Sequence, residues 1–103
     1  MIDVDMHTFD KAVEQTVGPV LLELWAPWCV HCRRLEPVLE RVEQKLGITV
    51  ARVNVDEQPE LAARLGARAV PTLYLYRSGK HSGGIAAPPS QAALERWILG
   101  GEA

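Results

Sequence analysis

Apolar and polar positions change their period several times along the chain, and each change marks an element. Val20-Leu21-Leu22-Glu23-Leu24-Trp25-Ala26 is apolar at all positions but one. That pattern fits a strand buried on both faces in the middle of a helix-covered sheet, not a half-exposed alternating strand. From Leu35 the period lengthens. Leu35, Val38, Leu39, Val42 and Leu46 follow helical spacing, while Arg34, Glu36, Glu40, Arg41, Glu43 and Lys45 fall on other faces, read as solvated. Gly47 suits the end of this helix, and Pro37, well past its first turn, is expected to remove a backbone hydrogen bond and kink it. Ile48 to Val55, rich in β-branched residues, predicts the next strand. Strand, long helix and strand together imply a right-handed parallel crossover.

The flanks carry weaker patterns. Ile2 to Val4 reads as a short first strand, and Thr8 as the N-cap of a short helix from Phe9 to Thr16 that ends before Gly18-Pro19. After a turn at Asp56 to Pro59, Glu60 to Leu65 predicts a short helix stopped by Gly66. Thr72 to Tyr76 predicts a fourth strand, and Arg77-Ser78-Gly79-Lys80 a hairpin turn into a fifth near His81 to Ile85, weakened by Gly83-Gly84. Ser90 caps a final helix with Leu94, Trp97 and Ile98 on one face, ending at Gly100-Gly101. The order β-α-β-α-β-α-β-β-α predicts an α/β fold with one central mixed sheet of about five strands and four helices on its two faces. With no internal repeat, residues 1–103 read as a single domain.

Composition narrows the partners. The chain is 48% hydrophobic and 23% charged, enough for a packed core without metal or disulfide staples. A net charge of −2, with Lys and Arg scattered apart from Arg33-Arg34, gives no reason to expect nucleic acid or an anionic membrane. The sequence holds no apolar run of eighteen residues and opens on an acidic stretch without an apolar leader core. A cytoplasmic monomer is the expectation.

The chemistry concentrates in Trp28-Cys29-Val30-His31-Cys32, which holds both cysteines at the junction of the apolar strand and the long helix. A Cys-x-x-Cys pair in such a place reads as redox chemistry. A helix starting within the motif would put Cys29 at its N-terminus, where unpaired N–H groups and the helix dipole favour a thiolate, and Cys32 one turn on, close enough to resolve a mixed disulfide. His31, between the sulfurs, can stabilise the thiolate further and make the couple more oxidising. Glu23 is either an exposed strand residue or a buried carboxyl whose pKa rises into the range useful for proton transfer. A zinc site normally needs four ligands and no second cysteine pair exists, while haem attachment needs a histidine where Arg33 stands, so no metal or other cofactor is expected. His7 and His81 show no partner pattern and read as surface residues, and Trp25 and Trp97 read as core.

Trp25-Ala26-Pro27-Trp28-Cys29-Val30-His31-Cys32 resembles the active-site segment of the thioredoxin family. The likeness extends through Pro37, Val53-Asn54-Val55-Asp56, Val70-Pro71-Thr72 and Gly79, in the family's order. The resemblance implies a thioredoxin fold, a nucleophilic Cys29, a resolving Cys32, and a cis bond before Pro71. It also implies a client chain paired with the backbone of Val70, and Glu23 in place of the family's buried aspartate, deprotonating Cys32; Trp28, directly before Cys29, reads by its position as a client-facing platform. Two positions depart from the family. Val30-His31 replaces the usual Gly-Pro and resembles the isomerase and oxidase branches, and Ala87 stands where a glycine usually borders the client groove. The implied activity is protein-disulfide reduction, with protein disulfides as substrates and a thioredoxin reductase or equivalent as electron donor. Isomerase or oxidant chemistry, or a non-catalytic binding subunit of this fold, are the alternatives.

Overall fold

The computed structural model describes residues 1–100, so Gly101 of the expected terminal glycine pair lies outside the described residues. Five strands form one mixed sheet in the order β1-β3-β2-β4-β5, with β1 Ile2–Asp3, β2 Val20–Trp25, β3 Thr49–Asn54, β4 Thr72–Tyr76 and β5 Gly84–Ile85. β2 lies at the centre, parallel to β3 along its whole length and antiparallel to β4. This is the place its nearly continuous apolar sequence calls for, because both faces of a central strand must be covered.

Alternate residues of β2 enter two cores. Leu22 and Leu24 pack with Phe9, Val13 and Leu61 on one face. Leu21 packs on the other with Leu35, Leu39 and Val42 of helix α1 (Val30–Leu46) and with Leu94 and Ile98 of helix α3 (Gln91–Ile98). Each fully buried leucine contributes about 1.5–3 kcal/mol of transfer free energy, so the strand holds both layers. Helix α1 runs on through Pro37 to Leu46 and closes on Gly47, whose φ of 64° suits a residue without a side chain. Ser90 caps α3 as expected, its Oγ accepting the Ala93 N–H at 3.1 Å.

Three local expectations are corrected. The first helical segment is a π-helix over Asp10–Glu14 and is not capped by Thr8. Asp5 ties the preceding turn instead, its Oδ1 accepting the N–H groups of His7 and Thr8 at 2.8 and 3.0 Å. Helix α2 is Pro59–Arg64, because Pro59, expected in the turn, is suited to the first helical position, where its missing N–H costs nothing. The fifth strand shrinks to Gly84–Ile85 because Gly83 turns the chain at φ 131°. His81 is exposed as expected, yet its ring lies 4.6 and 4.9 Å from those of Tyr74 and Tyr76.

The hairpin at Arg77–Lys80 turns against the π-helix. A Cβ at Gly79 (φ 80°) would collide with the backbone oxygen of Glu14, whereas one at Gly66 (φ 77°) would meet nothing within 4 Å. Both Gly66→Ala and Gly79→Ala should therefore cost about 1–2 kcal/mol for the left-handed backbone. Gly79→Ala should lose roughly 1–3 kcal/mol more for the collision. Guanidinium unfolding of the two variants measures the difference; equal losses would mean that the hairpin yields freely.

Candidate active site

The strand that organises the core also delivers the cysteines. β2 ends at Trp25, the chain turns over Ala26–Trp28, and Cys29 becomes the N-cap of α1 with extended backbone (φ −85°, ψ 109°). Its sulfur accepts the Cys32 N–H at 3.2 Å, taking the place of the hydroxyl or carboxylate oxygen that usually satisfies a free donor at a helix start. The two thiols are thus held one turn apart at the positive end of a 17-residue helix.

They are not equivalent. Cys32 is fully buried and Cys29 retains 6% exposure. Burial, followed by its hydrogen bond with Cys29, pushes the Cys32 thiol up to about 12. It is held as a thiol until a base removes its proton. Ala26, Cys29 and Cys32 form a small cluster against which Trp25, Val55 and Val70 pack. The packing of Val70 brings the segment before β4 to the cysteine cluster; the Val70-Pro71 peptide there is cis and Pro71 is buried.

Glu23 is not exposed. Its relative exposure is 0%, and its charge acts on Cys32. Nor is it isolated: Arg52, its direct neighbour on β3, donates from Nε to Glu23 Oε1 at 3.1 Å. The Arg52 guanidinium lies 4.0 Å from the centroid of the Trp25 ring, and its Nη2 lies 3.8 Å from Glu36 Oε2 on α1. Glu36 is therefore no part of a purely solvated helix face. Desolvation raises the Glu23 carboxyl to about 7 against the pull of Arg52, and the Glu36 charge adds to the rise. With Oε1 held by Arg52, Oε2 has no hydrogen-bond partner among the described residues and is the oxygen open to a proton.

Arg52 and Glu36 were missed from sequence, though a signal existed. β2 and β3 each carry one charged residue, Glu23 and Arg52, and two adjacent buried strands with one opposite charge apiece have reason to pair them. Asp56 was missed as well. Its Oδ2 accepts the Trp28 Nε1–H at 3.0 Å, and Asn54 fixes the turn by accepting the N–H groups of Asp56 and Glu57. Trp28, 66% exposed, and Val30, 54% exposed, stand beside Cys29 on the surface. The His31 side chain is exposed, with no hydrogen bond among the described residues, and lines a groove together with Ala87. No cluster of three or more metal-ligating side chains is present among the described residues.

A family model described as Thioredoxin matches residues 1–99. The chain is 32% identical to the thioredoxin of Rickettsia bellii over 98 residues, covering 93% of each chain. Over 100 residues it is 32% identical to the thioredoxin of Rhodospirillum rubrum, covering 95% of this chain and 96% of that one. With the thioredoxin of Streptomyces clavuligerus it shares 37% identity over 95 residues, covering 91% and 89%.

A carboxyl raised by burial is a stability statement with a definite sign. Glu23 ionises near 4.5 when unfolded and near 7 when folded, so the folded state binds the extra proton between those values. The stability of the wild type relative to Glu23→Gln should be highest below pH ~4.5 and fall by on the order of 3 kcal/mol as pH rises through about 7. Urea unfolding of both reduced proteins across that range measures it. A relative stability that rises with pH would mean that Arg52, not desolvation, controls the carboxyl.

Proposed function

The chain belongs to the thioredoxin family and is a thiol-disulfide oxidoreductase of that type, and from that premise we propose a mechanism and a redox poise. Family membership carries protein disulfides as substrates and a reductase as electron donor. The observation that carries the mechanism is the Cys29 sulfur on the helix N-cap, accepting the N–H of a Cys32 that remains a thiol.

In the proposed reaction the Cys29 thiolate attacks one sulfur of a client disulfide that lies across Trp28 and pairs with the backbone of Val70 beside Pro71. The client S–S bond breaks, a Cys29–client mixed disulfide forms, and the first client thiolate leaves. Glu23, through Oε2, takes the Cys32 proton. The Cys32 thiolate then attacks the Cys29 sulfur and expels the second client thiolate. The client gains two electrons, and Cys29 and Cys32 are left as a disulfide for the donor to reduce. Below about pH 7 the Glu23 carboxyl already holds a proton and cannot accept another, so resolution quickens as pH rises through that value.

The location we propose is cytoplasmic and the state monomeric; among the described residues no helix is long and apolar enough to cross a membrane. We further propose that Val30-His31 makes the couple more oxidising than a Gly-Pro member. In support, His31 stands in the first helical turn, between the two cysteines in sequence, where a positive imidazolium would stabilise a thiolate and so the reduced state.

Two measurements test these readings. The wild type should reduce insulin with dithiothreitol as donor, while Cys32→Ser should lose turnover and accumulate a mixed disulfide visible by mass spectrometry; undiminished turnover would remove the resolving role of Cys32. His31→Pro should lower the reduction potential by on the order of 30 mV in a glutathione titration. An unchanged potential would remove His31 from the tuning of the couple.

A further inference from the structure

Two surface grooves flank the motif and share no lining residue. One, of about 190 Å³, runs past Trp28, Arg68 and Val70. The other, of about 210 Å³, lies between α1 and the loop before α3, with His31 and Arg34 on one wall, Ala87, Pro88 and Pro89 on the other, and Leu35 contributing apolar surface. A client chain held at Cys29 has this second groove next to it.

Its chemistry is one-sided. His31 and Arg34 lie three residues apart and share a face of α1, and no carboxylate lines the groove. Further along the same helix the basic side chains are occupied: Arg41 donates to Gln91 Oε1 at 2.8 Å, and Lys45 pairs with Glu95 at 2.9 Å. Arg34, exposed at the mouth of the groove, has no ion pair or hydrogen bond among the described residues. The facing wall offers no backbone donor at Pro88 or Pro89, which lack an N–H. Ser90 also lines the groove, but its Oγ is engaged as the cap of α3, accepting the Ala93 N–H. Charged recognition here therefore falls to an imidazole and a guanidinium, the latter a planar fork matched to carboxylates. The apolar surface of Leu35 and the prolines suits the methylenes leading to such a carboxylate.

We propose that this groove selects client disulfides with an aspartate or glutamate close to the attacked cysteine, the client carboxylate seated on Arg34 and His31 and its methylenes on Pro88 and Pro89. The proposal rests on the reductase reading above and names the substrate class of that site.

The test uses the Cys32→Ser protein and three peptides, each a mixed disulfide with 5-thio-2-nitrobenzoate, that differ only by Glu, Gln or Lys two residues from the cysteine. Cys29 attacks the peptide sulfur, a protein–peptide disulfide forms, and the coloured thiolate leaves. At low ionic strength the Glu peptide should react about twofold to fivefold faster than the Gln peptide, and the Lys peptide more slowly than either. The preference should fade as salt shortens the screening length below about 10 Å. Arg34→Gln should bring the Glu-to-Gln ratio close to one, whereas Lys11→Gln, on the π-helix, should leave the ratio as it was. Equal rates for the three peptides, or a glutamate preference that survives Arg34→Gln, would overturn the proposal. Insulin turnover by the wild type decides the reductase reading separately. A protein that prefers the Glu peptide without reducing insulin keeps the groove and loses that reading; the reverse loses the groove alone.

Discussion

A carboxyl group buried at the centre of the sheet is the constraint on which the site depends. Glu23 occupies a strand position otherwise suited only to apolar side chains, and it is tolerated there because Arg52 lies beside it in register. A buried pair of this kind adds little net stability, since the desolvation of two charges offsets their attraction. Its consequence is chemical. Arg52 is shared between Glu23 and Glu36, and its guanidinium rests on Trp25, so it holds one carboxylate oxygen without drawing the carboxyl down to its ordinary pKa. A group titrating near neutrality is thereby fixed where its charge reaches Cys32.

The second asymmetry is built into the start of α1. One sulfur serves as the helix cap and the other lies in the first turn, so a single structural event, the beginning of a helix, separates a sulfur that faces the surface from one that does not. The cap hydrogen bond joins them, and burial holds the proton on the inner thiol. Trp28 is braced by Asp56, Val70 packs on the cysteine cluster, and Ala87 lines the groove that His31 shares. The surroundings of the sulfurs come from four separate segments, each placed by the sheet or by α1.

Much of this was legible in the chain. The central strand, the long helix, the fourth strand, the capping Ser90 and the junction at Cys29 all follow from period and from local residue chemistry, because in each case burial and propensity agree. Thr8, Pro59 and the fifth strand were read less well. There the outcome turned on which of two neighbouring polar groups reached the free N–H groups, on a proline that opens a helix and does not close a turn, or on a glycine φ, and hydropathy is silent on all three. Resemblance alone supplied the cis bond before Pro71, which the structure contains. Arg52, Glu36 and Asp56 were missed because their roles come from register across strands and from helix to sheet. A lone charge in an apolar strand signals that a partner exists without saying which residue it is.

The central claim is that Glu23, held by Arg52 yet desolvated, carries its proton up to neutral pH. Direct carbon NMR titration of the Glu23 carboxyl in the reduced protein tests it with no kinetic model between measurement and claim. The account predicts a midpoint of about 7. A midpoint near the ordinary 4.5 would show that the Arg52 pair keeps Glu23 ionised, and would contradict the claim that desolvation governs the carboxyl and that it becomes free to take a proton only as pH rises through about 7.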